Sequence, residues 1–268
     1  MYGSSKGNQV KVYKDKVWYK GDYLGYEGAS ECVVSRLLQH SNVVDFVSYD
    51  VCRFVYNGNV VNGCCSMDFK LPGEEEITLE NLIQKCTGNT SDVYLSGLSA
   101  SDRIIKVVDF VKGTTGLVNF GEYLTMLLEL DRLVLNEDRH FHNIVLLKSK
   151  SGTYRCCPVF DNGAALLSDT SVDYPIGMPV LNAIRKVKAK PFLTSFTKQV
   201  DICEELYGRQ FKLYGDVCVS ALTEGLLNVY EKPVIERIEQ VLTIQLSRYR
   251  DSDVEIRTAD DILDEIET

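Results

Sequence analysis

Residues 135–167 read LNEDRHFHNIVLLKSKSGTYRCCPVFDNGAALL, and the parsing of this stretch decides the fold. Two apolar runs, 144–147 and 156–160, flank a polar, glycine-containing segment at 148–153. That pattern predicts strand, loop and strand, a hairpin. Asn143 enters the hairpin and Asp161 leaves it, with Gly163 two residues on and Asp138 five residues upstream of Asn143. A hairpin returns its ends to one side, so Asn143 and Asp161 are expected side by side. Two oxygen ligands and one spare carboxylate suit phosphoryl transfer: the ligands hold Mg²⁺ on nucleotide phosphates, and the spare aspartate receives the acceptor hydroxyl. Singly, Asp, Asn and Gly are ordinary turn residues. Together, at the two ends of one hairpin, they mark a site.

Upstream, residues 120–135 carry Tyr123, Leu124, Met126, Leu127, Leu128, Leu130, Leu133 and Val134 on nearly every side. A helix that is apolar all round is buried. It feeds directly into Asn136-Glu137-Asp138 and should hold the loop rigidly. Downstream, residues 168–196 lack regular periodicity and contain Pro175, Pro179 and Pro191. A loop of that length is usually functional or disordered. It stands where an activation or substrate-binding segment would, and Arg185, Lys186, Lys188 and Lys190 give it a basic cluster. Helical patterns follow at 197–207, 216–230 and 233–248, the last with Pro233 at its start and Arg248 at its end.

The N-terminal part reads differently. A Gly/Ser loop at 3–7 precedes strands at 10–13 and 17–20, joined by a polar turn. Ala29, Cys32, Val33, Val34, Leu37 and Leu38 then recur at helical spacing, with Glu31 in the first turn. Residues 45–65 read as strand, including a hairpin turning at Asn57-Gly58, a pair suited to a type I′ turn. Residues 66–73 lose periodicity and mark a connector. Thr78 caps a short helix at 78–85, residues 86–98 form a polar loop, and Ser101 is read as the cap of the next helix.

Asp138-Arg139-His140-Phe141-His142-Asn143 resembles the DRHxxN loop, and Asp161-Asn162-Gly163 the DxG element, of the HipA-like and phosphatidylinositol-kinase-like branches of the kinase superfamily. The likeness to a short HipA-like serine/threonine kinase spans roughly residues 20–190. It implies an α+β, bilobal fold with a β-rich small lobe at 1–66, a hinge at 67–73, a helical large lobe at 74–250 and an acidic tail at 251–268. It implies an ATP- and Mg²⁺-dependent kinase acting on Ser or Thr of a protein substrate. Asp138 would be the base or orienter, with His140 beside it, and Asn143 and Asp161 the Mg²⁺ ligands. Lys20 would grip the α- and β-phosphates and pair with a helix glutamate, Glu31 in preference to Glu27. Ser4, Ser5 and Lys6 would cover the phosphates, with autophosphorylation of the two serines implied. Met67, Asp68 and Phe69 would present their backbone to the adenine. His142 falls at a variable position and reads as an ordinary loop residue. Full-length HipA proteins carry an extra subdomain ahead of the phosphate loop, for which this sequence leaves no room. A toxin–antitoxin role would therefore need a separate antitoxin or regulator as partner, not docked through that subdomain.

Composition sets the outer bounds. Of 268 residues, 45% are hydrophobic and 25% charged, as in ordinary globular proteins. A net charge of −9 argues against direct nucleic-acid binding, and no apolar run is long enough for a bilayer. The nine cysteines include the adjacent pairs Cys64-Cys65 and Cys156-Cys157 and no CxxC spacing, which reads as buried thiols in the cytoplasm. Two other readings share the motifs: a lipid or small-molecule kinase, and a nucleotide-binding pseudokinase without turnover. The acidic composition, with no Lys-rich amphipathic helix, disfavours the first. The presence of every key residue type disfavours the second.

Overall fold

The computed structural model describes residues 9–250. The loop read at 3–7, with Ser4, Ser5 and Lys6, and the acidic tail at 251–268 lie outside the described residues.

Four antiparallel strands, β1 (Lys11–Lys14), β2 (Val17–Gly21), β3 (Asp50–Tyr56) and β4 (Asn59–Met67), form a sheet in the order β1-β2-β4-β3. The β3–β4 turn is tight because Asn57 and Gly58 both take positive φ, 49° and 79°, as a type I′ turn requires. Asp15 and Lys16 do the same between β1 and β2 without a glycine, at 53° and 66°. Residues 45–49, expected as strand, instead form a linker tied to the large lobe, where Val47 N–H reaches the Val159 carbonyl at 2.9 Å.

Helix α1 (Glu27–Leu38) packs against β3 and β4, and its Ala29, Cys32, Val33 and Leu37 are fully buried. Its approach is set by two glycines. A Cβ on Gly28 would lie 2.4 Å from the Gly63 carbonyl carbon of β4. Bare backbone on both sides lets the helix sit close, and Glu31, one turn on from Gly28, then reaches the Lys20 strand.

The large lobe holds a second sheet, β5 (Glu75–Thr78), β6 (Val145–Lys148) and β7 (Tyr154–Cys156), in that order. The β6–β7 pair is the hairpin expected from the sequence, though its second strand runs earlier than 156–160. Pro158 has no N–H to give a ladder, so the pairing ends at Cys156 and Val159 bridges to Phe46 instead. The helices are α2 (Leu79–Thr87), α3 (Ser91–Tyr94), α4 (Ala100–Thr115), α5 (Phe120–Val134), α6 (Val180–Ile184), α7 (Phe196–Tyr207), α8 (Val219–Leu222) and α9 (Lys232–Arg250). Thr78 caps α2 by accepting from Asn81 N–H at 3.1 Å. The cap of α4 is Ser99, which accepts from Asp102 N–H; Ser101 lies within the first turn. Residues 216–230 do not form one helix: α8 and a 3-10 turn (Leu226–Asn228) are separated by Gly225 at φ 76°.

Helix α5 is central. Leu127, Leu130 and Val134 join the core shared with α1 and α9, while Phe120, Leu124 and Leu128 join the core of α2, α4 and α7. The segment 168–196 is packed rather than loose. Tyr174, Ala183, Ile184, Val187, Ala189 and Phe192 are buried, and Arg237 of α9 donates to the carbonyls of Tyr174, Pro175, Ile176 and Met178 at 2.6–3.4 Å.

Candidate active site

Lys20 ends the inner face of β2, and its ammonium lies 2.6 Å from Glu31 Oε1, 3.0 Å from Asp161 Oδ1 and 3.2 Å from the Tyr49 hydroxyl. Burial by itself would lower the Lys20 pKa, but Asp161 and Glu31 outweigh it and hold the group well above its ordinary value. Asp161 is the mirror case. Burial favours its neutral form, yet Lys20, Lys11 and Arg139 together hold it below the usual carboxylate range. Lys11 stands directly across from Lys20 on β1, so both lysines face the cleft.

Glu31 uses both oxygens: Oε1 accepts from Lys20, and Oε2 accepts from Asn162 N–H at 2.8 Å. The segment after Asp161 is tied to α1 at two further points. Ser30 Oγ donates to the Ala165 carbonyl at 2.9 Å, and the Tyr26 hydroxyl donates to the Leu166 carbonyl at 2.7 Å. Helix α1 is thus locked inward. Glu27, the competing glutamate, instead accepts from the N–H groups of Tyr23, Leu24 and Gly25 and serves the start of α1.

Leu135 leaves α5 in the left-handed conformation, φ 57°, and turns the chain into the loop that carries Asp138. Arg139 fixes that loop. It is 1% exposed, forks onto Asp131 of α5, and donates to the Asn143 and Phe160 carbonyls and to Asn162 Oδ1. One guanidinium therefore ties α5, the 138–143 loop and the 160–162 turn together. Asp161 itself has φ 61°, a strained conformation that Asp tolerates better than most residues and that clusters at functional sites.

Asp138, Asn143 and Asp161 line one 40 Å³ cavity, together with Glu27, Gly163 and Ser168. Asn143 Nδ2 donates to the Asp138 carbonyl at 2.8 Å and lies 3.3 Å from Asp138 Oδ2. That leaves Asn143 Oδ1 and Asp161 Oδ2 without partners among the described residues, while Asp161 Oδ1 is held by Lys20. Two open oxygens on a cleft whose other ligands would be phosphate oxygens and water fit Mg²⁺, which rarely takes an all-protein cage. The described residues contain no group of three or more His, Cys, Asp or Glu that could hold a metal ion.

His140 lies with Nε2 3.7 Å from Asp138 Oδ1, and neither ring nitrogen has a hydrogen-bond partner. Burial lowers its pKa despite the pull of Asp138. His142 is exposed and packs edge-on against His140. Of the residues expected at a hinge, Met67 is exposed, Asp68 N–H bonds the Lys16 carbonyl, and Phe69 packs on Phe160 at a centroid distance of 5.3 Å; none of the three lines the cavity. Sequence reasoning did not single out Tyr49, Asp131, Arg139 or Lys11. Arg139 alone left a readable signal, as an arginine inside a motif with no exposed task.

Neither a protein-family model nor a curated protein sequence matches this chain. Among solved structures it is similar to the Helicobacter pylori proinflammatory kinase CtkA, with a TM-score of 0.61 and 16% identity over 92% of this chain and 89% of that one. The fold is therefore protein-kinase-like, as the motifs implied. It is also similar to the toxin HipA of Shewanella oneidensis MR-1, solved with HipB and operator DNA, at a TM-score of 0.47 and 15% identity over 91% of this chain and 63% of that one. Among the described residues no helix is long and apolar enough to cross a membrane.

Proposed function

We propose that this chain is a kinase that transfers the γ-phosphoryl group of ATP, with Mg²⁺, to a Ser or Thr hydroxyl of a protein. The observation that carries the reading is the Lys20 ammonium held between Glu31 and Asp161 at 2.6 and 3.0 Å, with Asp138 and Asn143 on the same cavity as Asp161. Lys20 and Lys11 supply positive charge where nucleotide phosphates would lie. Asn143 Oδ1 and Asp161 Oδ2 are the oxygens open to a metal. When bound, Mg²⁺ would neutralise charge on the phosphates and hold them in line. Asp138 orients the acceptor hydroxyl and takes its proton. The assignment of residues 1–66, 67–73 and 74–250 to small lobe, hinge and large lobe belongs to the same reading, as do cytoplasmic activity and a separate regulatory partner.

Incubation with ATP and Mg²⁺ tests it, through ADP release and a phosphate mass gain on the chain or on an added protein. Phosphoamino-acid analysis separates Ser/Thr from other acceptors, and phosphate found only on an added lipid or small molecule rejects the protein-kinase reading. Self-modification at Ser4 or Ser5 would set roughly −1.5 to −2 charge beside the ATP phosphates and weaken nucleotide binding. Peptide mapping that finds phosphate only within residues 168–196, or nowhere, rejects that part alone.

A further inference from the structure

Lys190 reaches Asp138 from a segment that the motifs do not describe. Its ammonium lies 3.1 Å from Asp138 Oδ1, although 52 residues separate the two in sequence. The side chain is half exposed, and a surface lysine beside an aspartate is ordinarily a weak, wandering pair. Here the backbone beneath it is clamped. Gln199 of α7 is fully buried; its Nε2 donates to the Lys190 carbonyl at 3.0 Å, and its Oε1 accepts from Phe192 N–H at 3.2 Å and lies 3.4 Å from Leu193 N. Ala189 N–H closes the turn on the Thr194 carbonyl at 2.8 Å. Phe192, 4% exposed, stacks edge-on against Phe141 of the catalytic loop at 5.5 Å. The turn that presents Lys190 is thus keyed both to the large-lobe core and to the loop that carries Asp138. Arg185, Lys186 and Lys188 nearby are exposed and make no ion pair with described residues.

We propose that Lys190 is an acceptor-side catalytic residue of the phosphoryl transfer, an inference that rests on the kinase reading above. A hydroxyl bound at Asp138 lies within roughly 3 Å of its carboxylate and so within reach of the Lys190 ammonium. In the reaction the acceptor oxygen forms a bond to the γ-phosphorus. The bond from that phosphorus to the bridging oxygen breaks, and its electron pair leaves with ADP. The hydroxyl proton passes to Asp138. Lys190 keeps its own protons throughout: it aims the Asp138 carboxylate and balances negative charge on the transferring group from the face opposite Lys20.

The test uses the full chain with ATP, Mg²⁺ and an acceptor that wild type phosphorylates, or its own self-modified site. Lys190→Met should lower kcat about 100-fold while leaving nucleotide affinity and melting temperature near wild type. Lys190→Arg should retain most of the rate, and Lys188→Met, which removes the same charge from the same segment, should be unaffected. Normal kcat in Lys190→Met, or equal losses in Lys190→Met and Lys188→Met, would overturn the proposal and leave the kinase reading intact. A wild-type chain that transfers no phosphate removes that reading and this inference with it.

Discussion

Replacing Lys20 with Met should destabilise the free protein before any question of catalysis arises. The ammonium is buried between Glu31, 2.6 Å away, and Asp161, 3.0 Å away. At an effective dielectric constant of about 20, each contact is a gross attraction of about 6 kcal/mol. Desolvation offsets much of that, but removing the cation leaves two buried carboxylates facing each other, which costs about 3–5 kcal/mol. Glu31→Gln is milder, about 1.5–3 kcal/mol. The Gln amide oxygen keeps one of the two hydrogen bonds from Lys20 and Asn162 N–H, and Lys20 still has Asp161. In the double variant, the second substitution removes a charge that the first left uncompensated. The combined loss should therefore fall short of the sum by about 2 kcal/mol. Full cancellation is not expected, because the bond from Asn162 N–H loses its charged acceptor whether or not Lys20 is present. Urea unfolding of wild type, both single variants and the double variant gives the four stabilities, provided the slope with urea stays constant. Losses that add to within about 0.5 kcal/mol would refute the claim that the two side chains act as one buried unit.

Three further outcomes follow from other contacts. Asp161→Asn should abolish turnover and weaken Mg²⁺-dependent nucleotide binding, whereas Asp138→Asn should abolish turnover and spare binding; near-normal transfer in Asp138→Asn would reject its role. Arg139→Lys removes the fork onto the fully buried Asp131 and should cost about 3–5 kcal/mol, read as a fall in melting temperature of roughly 10 °C; a shift of only a degree or two would show that the fork is dispensable. Asp22 gives a pH test: burial, aided by the charge of Glu27, lifts its carboxyl to about 7, against the Gly28 N–H bond and Tyr230, which act in the other direction. Its folded pKa is raised, so its contribution is greatest in acid and is lost as pH rises toward about 7, with a ceiling of about 4 kcal/mol. Asp22→Asn should therefore flatten the decline in stability between about pH 4 and pH 7, and parallel curves for the two proteins would contradict it.

The elements legible in the sequence are those that short-range physics specifies. The Asn57-Gly58 turn follows from the positive φ that both residues tolerate, α5 from unbroken apolar coverage, and the 143–161 hairpin from two apolar runs about a glycine-containing loop. The motif residues Asp138, Asn143 and Asp161 stand within or beside those elements, so their convergence on one cavity could be anticipated from the hairpin alone. The helix pattern favours Glu31 over Glu27, and the structure pairs Glu31 with Lys20. Local signals misplaced what depends on a competing partner. Ser99 and Ser101 are equivalent as caps until the turn beneath them is set, and residues 45–49 have strand-like composition but meet the large lobe instead of a third strand. The fork of Arg139 onto Asp131, the grip of Arg237 on residues 174–178, the pairing of β5 with β6 and the seat of Lys190 on Asp138 were decided only by tertiary structure. Each joins a charge or a backbone edge to a partner that periodicity does not encode. Such contacts form because a buried donor or carbonyl must be satisfied once packing has brought it close, and packing is a property of the whole chain.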